Sequence, residues 1–403
     1  MAAAQSELPS LGKELFSYTQ ENNNEEVKRL LTVEKIPVDC VDADGMTPLQ
    51  HAAHNGTYEM CKLLLDCGAN VNFTKHATQY GALTFAAMSG NVDVVNLLLQ
   101  YGAETTSVSS NNKTAAQMAT FVGNHYVASI INNFIPIKEI EYCCQLQILK
   151  KEPKLPLNLT PIVHKMSIIT NINPVRLALF SQNNLSILEH LDKVIRVLTI
   201  MSDKFYKQDA NELMSLKFFH VAFVLQGCLN FLNNQKANDK SEGKLTNDCL
   251  NRYIKHLIKG DPKGFPIALE KFLRQGIQKY PFRESSLFHK LVVTLNSVKL
   301  GEEPSAIFFI NTAVDGQRNM DQLLRCATCG DAFDNRQCAS CKSVYYCDKT
   351  CQKLHFFTHK IQCRTLAEIR ANARVTEVKN DCSGGSEKAT FSNSDGAGCS
   401  HYE

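Results

Sequence analysis

Seven cysteines and one histidine within residues 326–363 fall into four short pairs: Cys326-x2-Cys329, Cys338-x2-Cys341, Cys347-x3-Cys351 and His359-x3-Cys363. Two or three intervening residues make one tight turn, so both side chains of a pair can reach a single ion. Tetrahedral thiolate and imidazole ligation suits zinc, and eight such ligands hold two ions. So short a segment has too little apolar core to fold alone, and metal binding supplies the missing folding free energy. All eight positions are occupied by protein groups, which leaves no open site for water and points to structural rather than catalytic zinc. His355 lies four residues before His359 on the same helix face and is the alternative ligand.

The remaining composition narrows the function classes. The chain has 403 residues, enough for two or three domains. Its 43 basic and 40 acidic residues nearly cancel, which argues against binding nucleic acid or membrane through the whole surface. The opening MAAAQSELPSLGKELF lacks a basic stretch followed by an apolar core, so no signal peptide is expected. Thiols should then stay reduced, and clustered cysteines should be metal ligands rather than disulfides. The apolar run 216–232 contains Lys217, His220, Gln226 and Asn230, and reads as a buried helix, not a membrane span.

The N-terminal third repeats itself. TPLQHAA (47–53) recurs as GALTFAA (81–87) and more weakly as TAAQMAT (114–120), at offsets of 34 and 33. GANVN (68–72) recurs as GAETT (102–106), and the Leu run 63–65 recurs at 97–99. A period of about 33 with a TPLxxAA turn-and-helix resembles the ankyrin repeat. Ala52-Ala53 and Ala86-Ala87 let paired helices approach closely, while Gly68 and Gly102 end the second helices. One unit cannot bury its apolar face alone, so neighbours stack. Two clear repeats, a degenerate third and an N-terminal helical cap (about 12–32) are expected. Gly81-Ala82 replaces Thr-Pro, so the preceding hairpin is expected to be longer or looser than its neighbours. On the concave face the candidate partner contacts are Asp44, Met46, Gln50, His51, His54, Tyr80, Thr84, Met88 and Asn112, weighed against ordinary packed or solvated roles. His51 is expected to hydrogen-bond backbone rather than metal.

Residues 135–160 hold three prolines, with Pro161 just beyond, and read as a linker without a continuous helix. Helical periodicity returns over 161–322, with segments near 211–233, 246–259, 265–279 and 284–299. Ser186 with Glu189 suggests a capping box, and Gly260 with Pro262 a stop. This region carries no chemical motif and reads as a packing domain or spacer. Residues 376–403 are rich in Gly and Ser, poor in apolar residues, and should be disordered.

The pattern C-x2-C…C-x2-C-x4-YC-x3-CQ…HK-x2-C resembles a MYND zinc finger from end to end. The resemblance implies interleaved sites: Cys326, Cys329, Cys347 and Cys351 on one zinc, Cys338, Cys341, His359 and Cys363 on the other. It also implies a protein-interaction module for proline-containing peptides, with Gln352 and Phe356 flanking the groove. The family usually has Trp where this chain has Phe356; that side chain either borders the groove or packs on the zinc core. GMTPLQHAA, AAQMATFVGNH, INNFIP, KKEPKLP and YCDKTCQK, in this order, resemble the ankyrin repeat and MYND domain-containing proteins over about residues 12–365. The implied fold is mostly α: an ankyrin-repeat solenoid with its cap (12–134), a linker (135–160), a central helical region (161–322), a small two-zinc MYND finger (326–363) and a disordered tail (376–403). The implied role is a cytoplasmic, non-enzymatic adaptor in the trafficking of signalling proteins to the cilium, with an immunophilin among its partners.

Other classes fit less well. MYND fingers also occur in SET-domain methyltransferases, but the strands and cofactor loop of such an enzyme are missing, as are P-loop, G-x-S-x-G, HExxH and dinucleotide-glycine patterns. Cys143-Cys144 reads as inert packing rather than a nucleophile pair. In the finger, Arg336, Lys342, Lys349, Lys353 and Lys360 face Asp331, Asp334 and Asp348, too small an excess for direct nucleic-acid binding. A transcriptional corepressor-type adaptor recruited through the finger is the alternative.

Overall fold

A computed structural model describes residues 2–149, 155–238, 248–262, 264–315, 325–331 and 336–383. Nearly all regular structure among them is helical, the exceptions being a two-stranded ribbon in the finger and an isolated bridge between Val108 and Thr114.

Four antiparallel helix pairs stack at the N-terminus: Ala2–Gln20 with Asn24–Thr32, Pro48–Asn55 with Tyr58–Asp66, Ala82–Ser89 with Val92–Gln100, and Ala115–Phe121 with His125–Asn133. Thr47 with Gln50 and Thr114 with Gln117 form complete capping boxes, which start two of the first helices. The stack is also tied across repeats. Asn91 caps its own helix by accepting from the Val94 amide at 3.0 Å, and its amide donates to the Gly56 carbonyl at 2.8 Å. One repeat on, Asn124 donates to the Ala87 and Met88 carbonyls at 3.1 and 2.9 Å. Glycine is required where these amides land. Gly90 has φ +78°, and a Cβ there would meet the Asn124 side chain at 3.0 Å. Leu15, Leu64, Leu98, Ile131 and the paired alanines form one continuous buried core along the stack.

The hairpin before the third pair is firmly held, contrary to its sequence. Buried His76 donates from Nε2 to the Tyr80 carbonyl at 2.6 Å, and its Nδ1 takes the Thr78 hydroxyl at 2.9 Å. The Gln50 amide adds bonds to the Phe73 and Tyr80 carbonyls, at 2.8 and 2.9 Å.

The stretch read as a linker contains a helix, Ile137–Leu149, with Ile140, Cys143 and Cys144 buried. Pro136 just precedes this helix, Pro156 precedes the short turn of helix Leu157–Leu159, and Pro161, just beyond the stretch, lies in the first turn of Thr160–Ser167, where a missing N–H costs nothing. Burial pushes the Cys143 thiol up to about 12, as packing rather than reactivity requires.

The central region is built on the helix Glu212–Asn238, packed along Leu191–Lys207. Among the described residues this is the one helix long and apolar enough to cross a membrane, but 61% of its apolar window is buried inside the protein. Shorter helices at Asn251–Leu257, Ile267–Gln278, Ser286–Asn296 and Ala306–Asp315 surround it. Buried Glu270 holds their ends together, pairing with Arg274 at 2.7 Å and accepting the Ala306 amide at 2.8 Å. The expected Ser186–Glu189 capping box is absent. Leu185–Leu188 is a four-residue helix capped by Asn184 without a side-chain bond, and the long helix begins only at Leu191. Residues 316–322 of the expected helical region lie outside the described residues.

The apolar core of this region does not stop at the finger. One cluster runs from Ile135 through Leu225 and Tyr280 to Cys326, Cys341, Tyr346 and Leu354. The helix that closes the finger extends from Lys349 to Ser383, so the first residues of the expected disordered tail continue a helix. Residues 384–403 lie outside the described residues.

Candidate metal centre and interaction surfaces

Two loops and one helix assemble the finger. Each Cys-x2-Cys pair closes on itself through an amide-to-carbonyl bond: Gly330 to Cys326 at 2.8 Å, and Lys342 to Cys338 at 2.9 Å. Both closing residues lie in the left-handed region, at φ +78° and +53°. Strand Arg336–Gln337 pairs antiparallel with Tyr345–Tyr346, in the register Arg336↔Tyr346, and delivers Cys347 beside the first pair. Asp348 then starts the long helix, its carboxylate accepting from the Cys351 amide at 2.6 Å. One helical turn spaces His359 from Cys363, while Cys347 lies just before the helix that carries Cys351.

Two groups of four ligand atoms result: Cys326, Cys329, Cys347 and Cys351, and Cys338, Cys341, His359 and Cys363. Within each group all ligand atoms lie within 4.8 Å of one another. A zinc–sulfur bond of about 2.3 Å implies a tetrahedral S–S edge of about 3.8 Å and an S–N edge of about 3.6 Å. Cys329 and Cys347 Sγ are 3.7 Å apart, Cys338 and Cys363 Sγ 3.7 Å, and Cys341 Sγ lies 3.6 Å from His359 Nε2. The finger thus presents two tetrahedral sites sized for zinc, interleaved as its motif implied.

The charges also call for a cation. Burial works against a Cys338 thiolate, but the Cys341 and Ser340 amides, with His359 and Cys363, bring that thiol down to about 6. Burial and the neighbouring Cys338 push Cys363 up to about 11. Thiolates this close repel, and a divalent ion lets the whole set ionise together. His355 is not a ligand. Burial lowers it to about 4, and its Nδ1 accepts from the Tyr346 hydroxyl at 3.1 Å. The Thr328 hydroxyl donates to the Cys351 carbonyl at 2.7 Å, adding a second tie around the first site.

The finger is bolted to the central region at two places, neither of which was apparent in the sequence. At the first knuckle, Arg176 pairs with Asp331 at 2.7 Å, and the Asn171 amide donates to the Cys329 carbonyl at 2.9 Å and to Asp331 at 2.6 Å. The Ile172 carbonyl accepts from Nε2 of His220 on the central helix at 3.0 Å, so residues 171–173 strap the knuckle to that helix. Along the finger helix, the Thr358 hydroxyl donates to the Ile258 carbonyl at 3.2 Å and accepts from the Gly260 amide at 3.4 Å. The closely spaced asparagines of Asn171-Ile172-Asn173-Pro174 were a local signal for a helix cap, which Asn173 provides to Val175, but not for a metal-site contact.

The positions expected to meet partners divide. Phe356 is 59% exposed, so it does not pack on the zinc core. It lines a cavity of about 340 Å³ with Lys349, Gln352 and Lys353. Leu354 and Phe357 do the packing instead. In the repeats, Asp44, His54 and Asn112 are exposed, and Met46, His51, Tyr80 and Met88 are partly so. Gln50 and Thr84 are buried, at 1% and 7% exposure, and are corrected to structural residues. Both Gln50 side-chain atoms are committed to the capping box and the next hairpin. His51 also differs from expectation: it meets the Asp42 carboxylate at 2.6 Å, not a backbone group. Tyr80, Phe85 and exposed His54 form an edge-to-face aromatic row on the inner face.

Comparisons with known proteins agree with this architecture. Residues 15–109 match the family of ankyrin repeats in three copies, and residues 321–363 match the MYND finger. The first match begins at residue 15, inside the helix pair read as a cap. Both modules are interaction modules, not catalytic ones. The putative E3 ubiquitin-protein ligase XBAT34 of Arabidopsis thaliana is 36% identical over 30% of this chain and 32% of its own length. Palmitoyltransferase akr1 of Neurospora crassa is 35% identical over 21% of this chain and 11% of its own. Such partial likenesses transfer no activity. Dauer abnormal formation protein 25 of Caenorhabditis elegans is 30% identical over 358 residues, covering 87% of this chain and 90% of that protein. A match of that extent covers most of both chains, and the chain belongs to the family of Dauer abnormal formation protein 25.

Proposed function

We propose that the protein is a non-enzymatic adaptor that holds one partner on the concave face of its repeats and another at the finger groove. The observation that carries this reading is the pairing of two closed zinc sites with an exposed groove beside them. The metal builds the finger, and Gln352 and Phe356 are left free to meet a proline-containing peptide. On the repeats the contact set is Asp44, Met46, His51, His54, Tyr80, Met88 and Asn112. The resemblance to ankyrin repeat and MYND domain-containing protein 2 supports a cytoplasmic, cilium-associated role in trafficking signalling proteins, with an immunophilin at one surface. The domain limits that accompany this reading are 12–134, 135–160, 161–322 and 326–363.

Proximity labelling with the wild type, Gln352→Ala/Phe356→Ala and His54→Ala/Tyr80→Ala tests it. Two different partner sets should be lost, one per surface, with zinc content unchanged. Partners that survive both lesions would refute the two-surface adaptor, and a predominantly nuclear set at the finger would favour a corepressor role.

A further inference from the structure

The central region carries a third recess that the adaptor reading does not use. The helices Asn251–Leu257 and Ile267–Gln278, with Gly227 of the long helix, line an open cavity of about 650 Å³. That is within the range of small-molecule pockets, about 300–1,000 Å³. Its lining is largely apolar: Leu257, Ile267, Phe272 and the ring of Tyr253. Gly227 brings the helix backbone against this wall, since a Cβ there would stand 3.0 Å from the Phe272 ring.

The rim gives the recess its polar preference. At the rim, Lys259, Lys271 and His256 are all exposed. The acid of the lining, Asp261, is turned toward its own loop and accepts the Phe265 amide at 2.9 Å. An apolar floor under a cationic rim selects an anion with an apolar body. The lining comes from three helices and a loop, not from the strand edges or single long grooves on which extended peptides dock.

We propose that this cavity binds a small amphipathic anion, with a carboxylate or phosphate head at Lys259 and Lys271 and an apolar body on Leu257, Ile267 and Phe272. A body of roughly ten carbon atoms suits a pocket of this class. The site is independent of the repeat face and the finger groove.

The test uses the zinc-loaded full chain and three probes of one chain length, decanoate, decyl phosphate and decanol, titrated below their micellar concentrations. Binding is read by displacement of 1-anilinonaphthalene-8-sulfonate and by calorimetry. Decanoate or decyl phosphate should bind at least tenfold tighter than decanol. Lys259→Glu/Lys271→Glu should remove that preference while decanol binding and zinc content stay unchanged. Ala268→Phe, which fills the floor, should abolish binding of all three; if it does not fold, the charge-reversal variant decides alone. Equal affinity for decanol and the anions in the wild type, or undiminished anion affinity in the charge-reversal variant, would overturn the proposal.

Discussion

Arg176 and Asp331 lie 2.7 Å apart, one on a helix of the central region and the other in the loop that closes the first zinc knuckle. Asp331 is 14% exposed and Arg176 32%, and Asn171 donates to the same carboxylate. Arg176→Ala should therefore destabilise the central unit by about 1–3 kcal/mol, the cost of leaving a partly buried charged acceptor short of a partner. A double-mutant cycle with Asp331→Ala checks it. A coupling of about 0.5 kcal/mol or more is expected for residues in direct contact, and purely additive losses would show that the pair contributes nothing.

Loss of zinc should travel beyond the finger. Cys338→Ser opens the second site, and structural zinc contributes about 10–16 kcal/mol to isolated fingers at neutral pH. Because Cys326, Cys341 and Leu354 share the central core, hydrogen exchange should rise around 171–176 and 258–265 as well as in the finger. The helices Pro48–Asn55 and Val92–Gln100 should keep their protection, since their core is separate. Unchanged exchange at 258–265 in the mutant would count against a shared core.

Gln50→Ala should read out as instability of the repeats rather than as a simple loss of partner. The substitution removes a capping box worth about 1 kcal/mol and leaves the Phe73 and Tyr80 carbonyls short of a donor, for a total of about 2–4 kcal/mol. Urea unfolding followed by circular dichroism measures it. A midpoint that does not move would return Gln50 to the surface set.

The central region should weaken on acidification through His220. Burial pushes this imidazole down to about 4, below the unfolded value of about 6.5. The unfolded chain then takes up a proton that the folded chain does not. This contribution is present in full above about pH 6.5 and is lost as the pH falls toward 4. The change amounts to about 3 kcal/mol across that window. His220→Gln should be less stable at pH 7, having lost a well-fitted donor to Ile172, but its stability should fall less steeply between pH 6.5 and 4. Parallel slopes for the two proteins, with zinc content followed alongside, would exclude His220 as the source.

Much of this architecture was legible because it repeats or because metal geometry is strict. The 34-residue offsets located the stacked pairs, and the ligand intervals located four ligand pairs; their interleaving into two sites, and His359 over His355, came from the resemblance to the MYND finger. The errors share one physical origin, which is that local pattern does not report tertiary partners. Prolines at 136 and 161 suggested a break, yet they stand at helix ends where they do no harm. Gln50 lies on a helix that faces the concave side, but the carbonyls it serves are 23 and 30 residues away. The contacts of Asn171 and Arg176 with the finger span about 160 residues, and nothing in their immediate neighbourhood encodes them.

The paired bonds of Thr358 to Ile258 and Gly260 bear on more than stability. They fix the finger helix to the central region, whose helix Ala306–Asp315 packs against the last repeat helix His125–Asn133, so the groove and the repeats are linked through packed helices. A ligand with two motifs then meets an effective concentration governed by how well its own span matches the spacing of the two. A well-matched ligand gains avidity on its second contact, and a mismatched one binds as though only one surface existed. On the two-surface adaptor proposed above, selection among bivalent partners is a matter of length as much as of sequence.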